Sequence, residues 1–259
     1  MRRKLAGTGW KMNIGARDVA PYAQALRSCL AETDVTGIDI FVLPPFTSLS
    51  AAAAAFAGSS VAIGGQNMHW EAAGAWTGEV SAPMLVEAGC RYVELAHSER
   101  LQHFGETYPL VRRKVDHAMT AGLIPIICLG ETKEDKDAGR ADAVIADQMM
   151  TALAGQSAEA VPGLILAYEP RWAIGAAEAA SPLYVAARHK ALRGALTDRY
   201  GRDIAERTRI LYGGSVTAEN GSPLIAIEDV DGLFVGRAAW SPEGFSRIVK
   251  LVAAQAAIA

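Results

Sequence analysis

The chain alternates. Short runs of apolar and β-branched residues recur eight times, most followed by a small polar or glycine cluster and then a longer helical stretch. The runs fall at 5–9, 38–43, 61–65, 92–95, 124–129, 164–168, 210–212 and 232–235. Strands that alternate with helices predict βαβ units and a parallel sheet. Eight such units in 259 residues predict an α/β fold, a single (β/α)8 barrel spanning 1–259 as one domain. The nearly all-apolar run Ile124-Pro125-Ile126-Ile127-Cys128-Leu129 suits a strand covered on both faces. A doubly wound dinucleotide-binding sheet is the rival. It needs a glycine fingerprint after its first strand, and Thr8-Gly9-Trp10-Lys11 is not one.

The intervening stretches predict helices over 18–32, 106–121, 133–153, 181–200 and 241–258. Asp18 is the candidate N-cap of the first, with Pro21 in its first turn. In the second, Val111, Val115 and Ala118 form one stripe, with Arg112, Arg113 and Lys114 off it.

Lys plus Arg is 25 against 28 for Asp plus Glu, a net charge of −3. No cationic excess is available for nucleic acid, although a local pocket for one small anion is compatible with it. Cys29, Cys90 and Cys128 form no C-x-x-C pair, which fits a reducing compartment. The basic start Met1-Arg2-Arg3-Lys4 leads into no apolar core, so no signal peptide is expected, and the small-apolar run 51–57 is too short to span a bilayer. The expectation is a soluble cytoplasmic protein without a membrane partner.

Barrels of this kind build their sites at the carboxyl ends of their strands. Lys11 follows strand one, and Ala96-His97-Ser98-Glu99-Arg100 follows strand four. Glu169-Pro170-Arg171-Trp172 follows strand six, Gly213-Gly214-Ser215 strand seven, and Gly236-Arg237 strand eight. Each has a plain alternative: a solvated lysine, a core histidine, an ion-paired glutamate, tight-turn glycines. Together they fit better as a site. A carboxylate at an apolar rim has its pKa raised by desolvation. Glycine turns in the last two loops offer backbone N–H groups to a phosphate. A Lys, a His and a Glu around a phosphate cradle point to proton abstraction beside a carbonyl. The small, uncharged segment 173–177 suits a lid that excludes water. His69, His103, His117 and His189 lack metal-ligand spacing, so no catalytic metal is expected.

These residues resemble the triosephosphate isomerase family over almost the whole chain. The matching segments are Trp10-Lys11-Met12-Asn13, 74–81 (GAWTGEVS), Ala96-His97-Ser98-Glu99-Arg100, 168–175 (YEPRWAIG) and Tyr212-Gly213-Gly214-Ser215-Val216. The resemblance implies Glu169 as the proton shuttle and neutral His97 as donor to the enediolate oxygen. It implies Lys11 as positive charge for the substrate, with Glu99 supporting Lys11 and His97. It further implies backbone N–H groups of Gly175, Ser215, Gly236 and Arg237 on the phosphate. Residues 74–81 correspond to a protruding loop that inserts Thr77 into a partner subunit, so a homodimer or higher oligomer is implied, with no cofactor.

The departures from the family pattern spare Glu169, His97 and Lys11. Gly9 stands where the family has a substrate-contacting Asn. Ala96 and Leu101 flank the His-Ser-Glu-Arg segment in place of Gly and Arg. Arg171 follows the hinge proline, Gly236-Arg237 replaces Gly-Gly, and Ala176, Ala177, Glu178 and Ala179 replace the usual lid pattern. Chemistry kept behind an altered wall points to an altered substrate. Loops 7–11 and 232–237 look similar to a paralogous branch that interconverts L-erythrulose 1-phosphate and D-erythrose 4-phosphate in tetritol catabolism. The favoured expectation is therefore a tetrose phosphate, with Gly9 admitting one extra hydroxymethyl carbon. The alternatives are an ordinary triosephosphate isomerase of glycolysis and gluconeogenesis and, more remotely, a non-catalytic sugar-phosphate binder. An aldolase would need a lysine inside a later strand, and the predicted strands contain none.

Overall fold

The computed structural model describes residues 2–175 and 180–258. Eight strands form: β1 (Lys4–Gly9), β2 (Ile38–Leu43), β3 (Val61–Gly65), β4 (Tyr92–Leu95), β5 (Ile124–Leu129), β6 (Ile165–Tyr168), β7 (Arg209–Tyr212) and β8 (Gly232–Val235). Each pairs in parallel with the next, and β8 returns to β1, so the sheet closes. The expected barrel is the observed one, with only the starts of β1, β6 and β7 displaced by one residue. β1 begins at Lys4, so a strand does carry a lysine. It lies at the amino end, where its ammonium donates to the Val230 carbonyl at 2.5 Å, away from the site.

Alternation along each strand divides the core in two. Leu5, Phe41, Leu43, Tyr92, Ile126, Cys128, Ile165, Ala167, Leu211 and Phe234 fill the barrel interior. Ile40, Val42, Val93, Leu95, Ile127 and Leu166 point outward under the helices. Large interior groups meet small ones. A Cβ on Gly7 would lie 2.0 Å from the Phe41 ring, so only glycine admits that ring.

The helices are α1 (Ala16–Leu30), α2 (Leu49–Phe56), α3 (Ala82–Glu87), α4 (Ser98–His103), α5 (Tyr108–Thr120), α6 (Lys133–Asp137), α7 (Ala141–Ala152), α8 (Pro182–Tyr200), α9 (Arg202–Arg207), α10 (Gly221–Ile225) and α11 (Pro242–Ile258). Several differ from expectation. Asp18 is not an N-cap: α1 starts after Gly15, and Asp18 sits in its first turn, where a carboxylate complements the helix dipole. The single helix expected over 133–153 is two, α6 and α7, broken around Gly139 at φ 69°. Lys114 was expected off the buried stripe of α5. It is buried with that stripe, because its ammonium binds the Glu106 carboxylate and, at 2.8 Å, the Asn67 side-chain oxygen. Short α2, α3, α4, α9 and α10 lie in stretches where length and pattern were too slight to predict a helix. Among the described residues no helix is long and apolar enough to cross a membrane.

Candidate active site

The carboxyl ends of the strands open into a cleft of about 1610 Å³ lined by Gly9, Lys11, His97, Glu99, Glu169, Gly175, Ser215, Gly236 and Arg237. All the expected site residues therefore converge, apart from Thr77. That residue lies on the exposed loop 72–79.

His97 caps the N-terminus of α4. Its Nδ1 accepts the Glu99 backbone N–H at 3.2 Å, which assigns the ring proton to Nε2. Nε2 faces Glu169 Oε2 at 3.8 Å. Burial, and then the nearby Lys11 ammonium, lower the His97 pKa to about 4, so the ring is neutral at physiological pH. Lys11 Nζ donates to Glu99 Oε1 at 2.6 Å. Glu99 thus touches both partners, the lysine through its side chain and the histidine through its backbone.

Glu169 leaves β6 with its backbone N–H on the Leu129 carbonyl at 2.7 Å. The residue is 4% exposed, and Oε2 has no hydrogen-bond partner. Burial raises its pKa to about 7 even against the pull of Lys11, a value suited to a base working near neutrality. Gly213 makes room for it, since a Cβ there would sit 2.6 Å from Glu169 Oε1.

Ser215 Oγ donates to the Ala173 carbonyl at 2.5 Å, tying the loop after β7 to the base of the expected lid. Arg237 is exposed on the rim, in the short turn Arg237–Ala239 that follows β8. Gly175 carries φ 69°. Ala176, Ala177, Glu178 and Ala179 lie outside the described residues.

The sequence reading missed several residues here. Gln66 Nε2 donates to the carbonyls of Lys11 and Leu43, both at 2.9 Å, and so holds the backbone that presents Lys11. Glu131, fully buried, accepts from the Tyr168 hydroxyl at 3.1 Å, the Trp172 indole at 2.7 Å and the Tyr184 hydroxyl at 2.8 Å. Glu94 and Cys128 lie beneath Glu169, the three offering ligand atoms within 4.8 Å of one another. The signal for Glu94 was present as an acid at an interior-facing strand position. As a metal site this group is poor. Burial pushes the Cys128 thiol well above its usual pKa, and the neighbouring carboxylates push it further, whereas a metal needs it deprotonated.

A buried carboxylate, a neutral imidazole and an ammonium, gathered at the carboxyl end of a closed barrel, form a site equipped for proton transfer. The triosephosphate isomerase family model matches residues 4–252. A triosephosphate isomerase from Herpetosiphon aurantiacus is 45% identical, covering 96% of this chain and 99% of its own. An L-erythrulose-1-phosphate isomerase from Mycolicibacterium smegmatis is 43% identical, covering 96% and 92%. The crystal structure of triosephosphate isomerase from Bartonella henselae superposes with a TM-score of 0.86 at 32% identity, covering 96% and 98%. The chain belongs to the triosephosphate isomerase family and is an isomerase.

Proposed function

We propose that this enzyme shifts a proton between adjacent carbons of a short sugar phosphate, and that its favoured substrate is the four-carbon ketose L-erythrulose 1-phosphate. The observation that carries the reading is Gly9. A Cβ there would lie 3.8 Å from Phe234 and 3.9 Å from Glu94, ordinary contact distances, so one further carbon fits against these groups in the cleft. The similarity to an L-erythrulose-1-phosphate isomerase supports the same reading.

In this mechanism Glu169 removes the proton from the hydroxyl-bearing carbon next to the ketone. His97 Nε2–H donates to the carbonyl oxygen as negative charge builds there, and the Lys11 ammonium stabilises that charge. Glu99 holds Lys11 in place. Glu169 then returns the proton to the former carbonyl carbon, while His97 passes the hydroxyl proton from the new carbonyl oxygen to the old one. Backbone N–H groups of Gly175, Ser215, Gly236 and Arg237 hold the phosphate, while Gly9 leaves room for the fourth carbon.

The atom balance corrects the expected product. One such shift on L-erythrulose 1-phosphate moves the ketone from C2 to C3, giving an erythrulose 4-phosphate. An erythrose 4-phosphate requires a second shift to the terminal carbon.

The assembly we infer is two copies of the chain, joined through residues 74–81. Trp76 is 47% exposed at that loop, and Met12, Phe46 and Phe104 leave the cleft rim apolar. The three unpaired cysteines support a cytoplasmic location.

The test compares kcat/KM on L-erythrulose 1-phosphate and dihydroxyacetone phosphate. A preference of about tenfold for the four-carbon ketose, about 1.4 kcal/mol, is expected. A preference for the three-carbon sugar replaces this reading with an ordinary triosephosphate isomerase, as the 45% identical relative is named. Glu169→Gln should lower kcat by roughly 10²–10⁴-fold with the fold intact. Near-normal turnover would remove Glu169 as the base and revive the non-catalytic binder.

A further inference from the structure

Beneath the reacting centre lies an acid that the proton shuttle does not use. Glu94 occupies an interior position of β4, among Leu, Phe, Tyr and Ile side chains of the neighbouring strands. It is 6% exposed. A carboxyl group this deep is unfavourable unless it is hydrogen-bonded, and simple packing at the position needs only an apolar side chain.

Its two oxygens face different things. Oε1 accepts from the Cys128 thiol at 3.7 Å. Oε2 faces Gly9, 3.9 Å from where a Cβ on that glycine would stand, and Phe234 Cζ borders the same space at 3.8 Å. The one-carbon space beside Gly9 is therefore bordered by a carboxyl group and an aromatic edge. It also lies beside the base, because ligand atoms of Glu94 and Glu169 come within 4.8 Å of each other. Burial first, and the Glu169 carboxylate second, raise the Glu94 pKa well above the usual range. Burial thus favours the neutral form of Glu94, which both donates and accepts a hydrogen bond.

This placement has a chemical meaning on the four-carbon reading, on which the inference rests. The fourth carbon is bonded directly to the carbon that Glu169 deprotonates. Its hydroxyl must then lie within a few ångströms of Glu169, which is where Glu94 stands. We propose that Glu94 determines substrate specificity by hydrogen-bonding the C4 hydroxyl of the ketose phosphate, with Phe234 packed against C4 in the volume left open by Gly9. A three-carbon substrate places nothing there, and the buried acid keeps an unfilled hydrogen-bonding position. Sites built to bind a hydroxyl discriminate strongly against substrates that lack it.

The experiment uses the whole enzyme and three substrates: L-erythrulose 1-phosphate, its 4-deoxy analogue and dihydroxyacetone phosphate. In the wild type, loss of the C4 hydroxyl should lower kcat/KM by about tenfold or more. Glu94→Leu should lower the ratio of four-carbon to three-carbon kcat/KM by about tenfold, and Glu94→Gln, which keeps a donor and an acceptor, should hold that ratio within about threefold. The 4-deoxy comparison stands even if a variant fails to fold. Equal rates on the parent and the 4-deoxy sugar overturn the hydroxyl contact alone. So does an unchanged substrate ratio in Glu94→Leu, including a parallel fall on both substrates, which marks a structural role. A wild type that does not prefer the four-carbon sugar overturns the substrate reading and this inference together.

Discussion

Lys11, Ala96 and Ser215 carry φ of 51°, 62° and 49°, and each stands just beyond the carboxyl end of a strand. Side-chain-bearing residues rarely adopt this left-handed conformation, and such strain gathers at functional sites. Here it turns the chain abruptly so that Lys11 and His97 aim into the cleft. The same residues set the pH response. On the proposed mechanism Glu169 works only when ionised, and its pKa is raised to about 7, chiefly by burial. As pH falls through about 7 the base is protonated, so kcat/KM should fall about tenfold per unit. The fall should steepen below about 6, where the substrate phosphate also takes up a proton. The His97 pKa is lowered to about 4, so the imidazole adds no inflection above pH 5. A pH–rate series on the wild type checks this, and a flat profile between 5 and 8 contradicts it.

At the scale of elements, the loops are fastened by polar groups that composition does not announce. Thr132 and Asp135 form a capping box at the start of α6, and Gly139 ends that helix before α7 begins. Just before the box, Glu131 draws together β6 through Tyr168, the short turn Arg171–Ala173 through Trp172, and α8 through Tyr184. Glu131→Ala leaves the buried Tyr168 and the half-buried Trp172 and Tyr184 donors without their acceptor. Unfolding in urea should show a loss of about 1–3 kcal/mol. The segment that follows Trp172 should lose its fixed starting point, so KM should rise together with the loss in stability. An unchanged midpoint and an unchanged KM would show that the three donors find other partners.

Over the whole molecule the two ends of the barrel do different work. At the amino end, Asp231 is 1% exposed and binds Arg2 at 2.6 Å and Arg193 at 3.0 Å, clamping the chain before β1, β8 and α8 together. The carboxyl end carries the chemistry. Beside it projects the loop 72–79, braced from below by His69 stacked on Trp70 at 4.1 Å and packed on Trp76 at 4.4 Å. A braced but exposed loop is suited to insertion into a second copy. Thr77→Arg together with Trp76→Glu should therefore yield a monomer by light scattering, with kcat reduced by roughly 10²-fold through a displaced active site. A variant that stays dimeric would place the interface elsewhere.

The barrel was legible in the sequence because it is written locally. Short apolar runs and intervening helical stretches recur eight times, and strand ends can be read within a residue or so. Glu169, His97 and Lys11 were legible for the same reason: each is a polar group directly after an apolar run. The split of 133–153, the burial of Lys114 and the space beside Gly9 were not. The split follows from the backbone turn at Gly139, whereas the other two depend on partners distant in sequence: Asn67 for Lys114, Phe234 and Glu94 for the contacts around Gly9. Glu94 and Glu169 become neighbours only when β4 and β6 turn the same face inward, and their raised pKa values come from the burial that closure imposes. Local patterning was enough to set the order of elements and to single out the candidate reacting groups. Tertiary structure alone decided which of those groups are desolvated, how they are protonated and what volume they surround, because burial and proximity exist only once the sheet has closed.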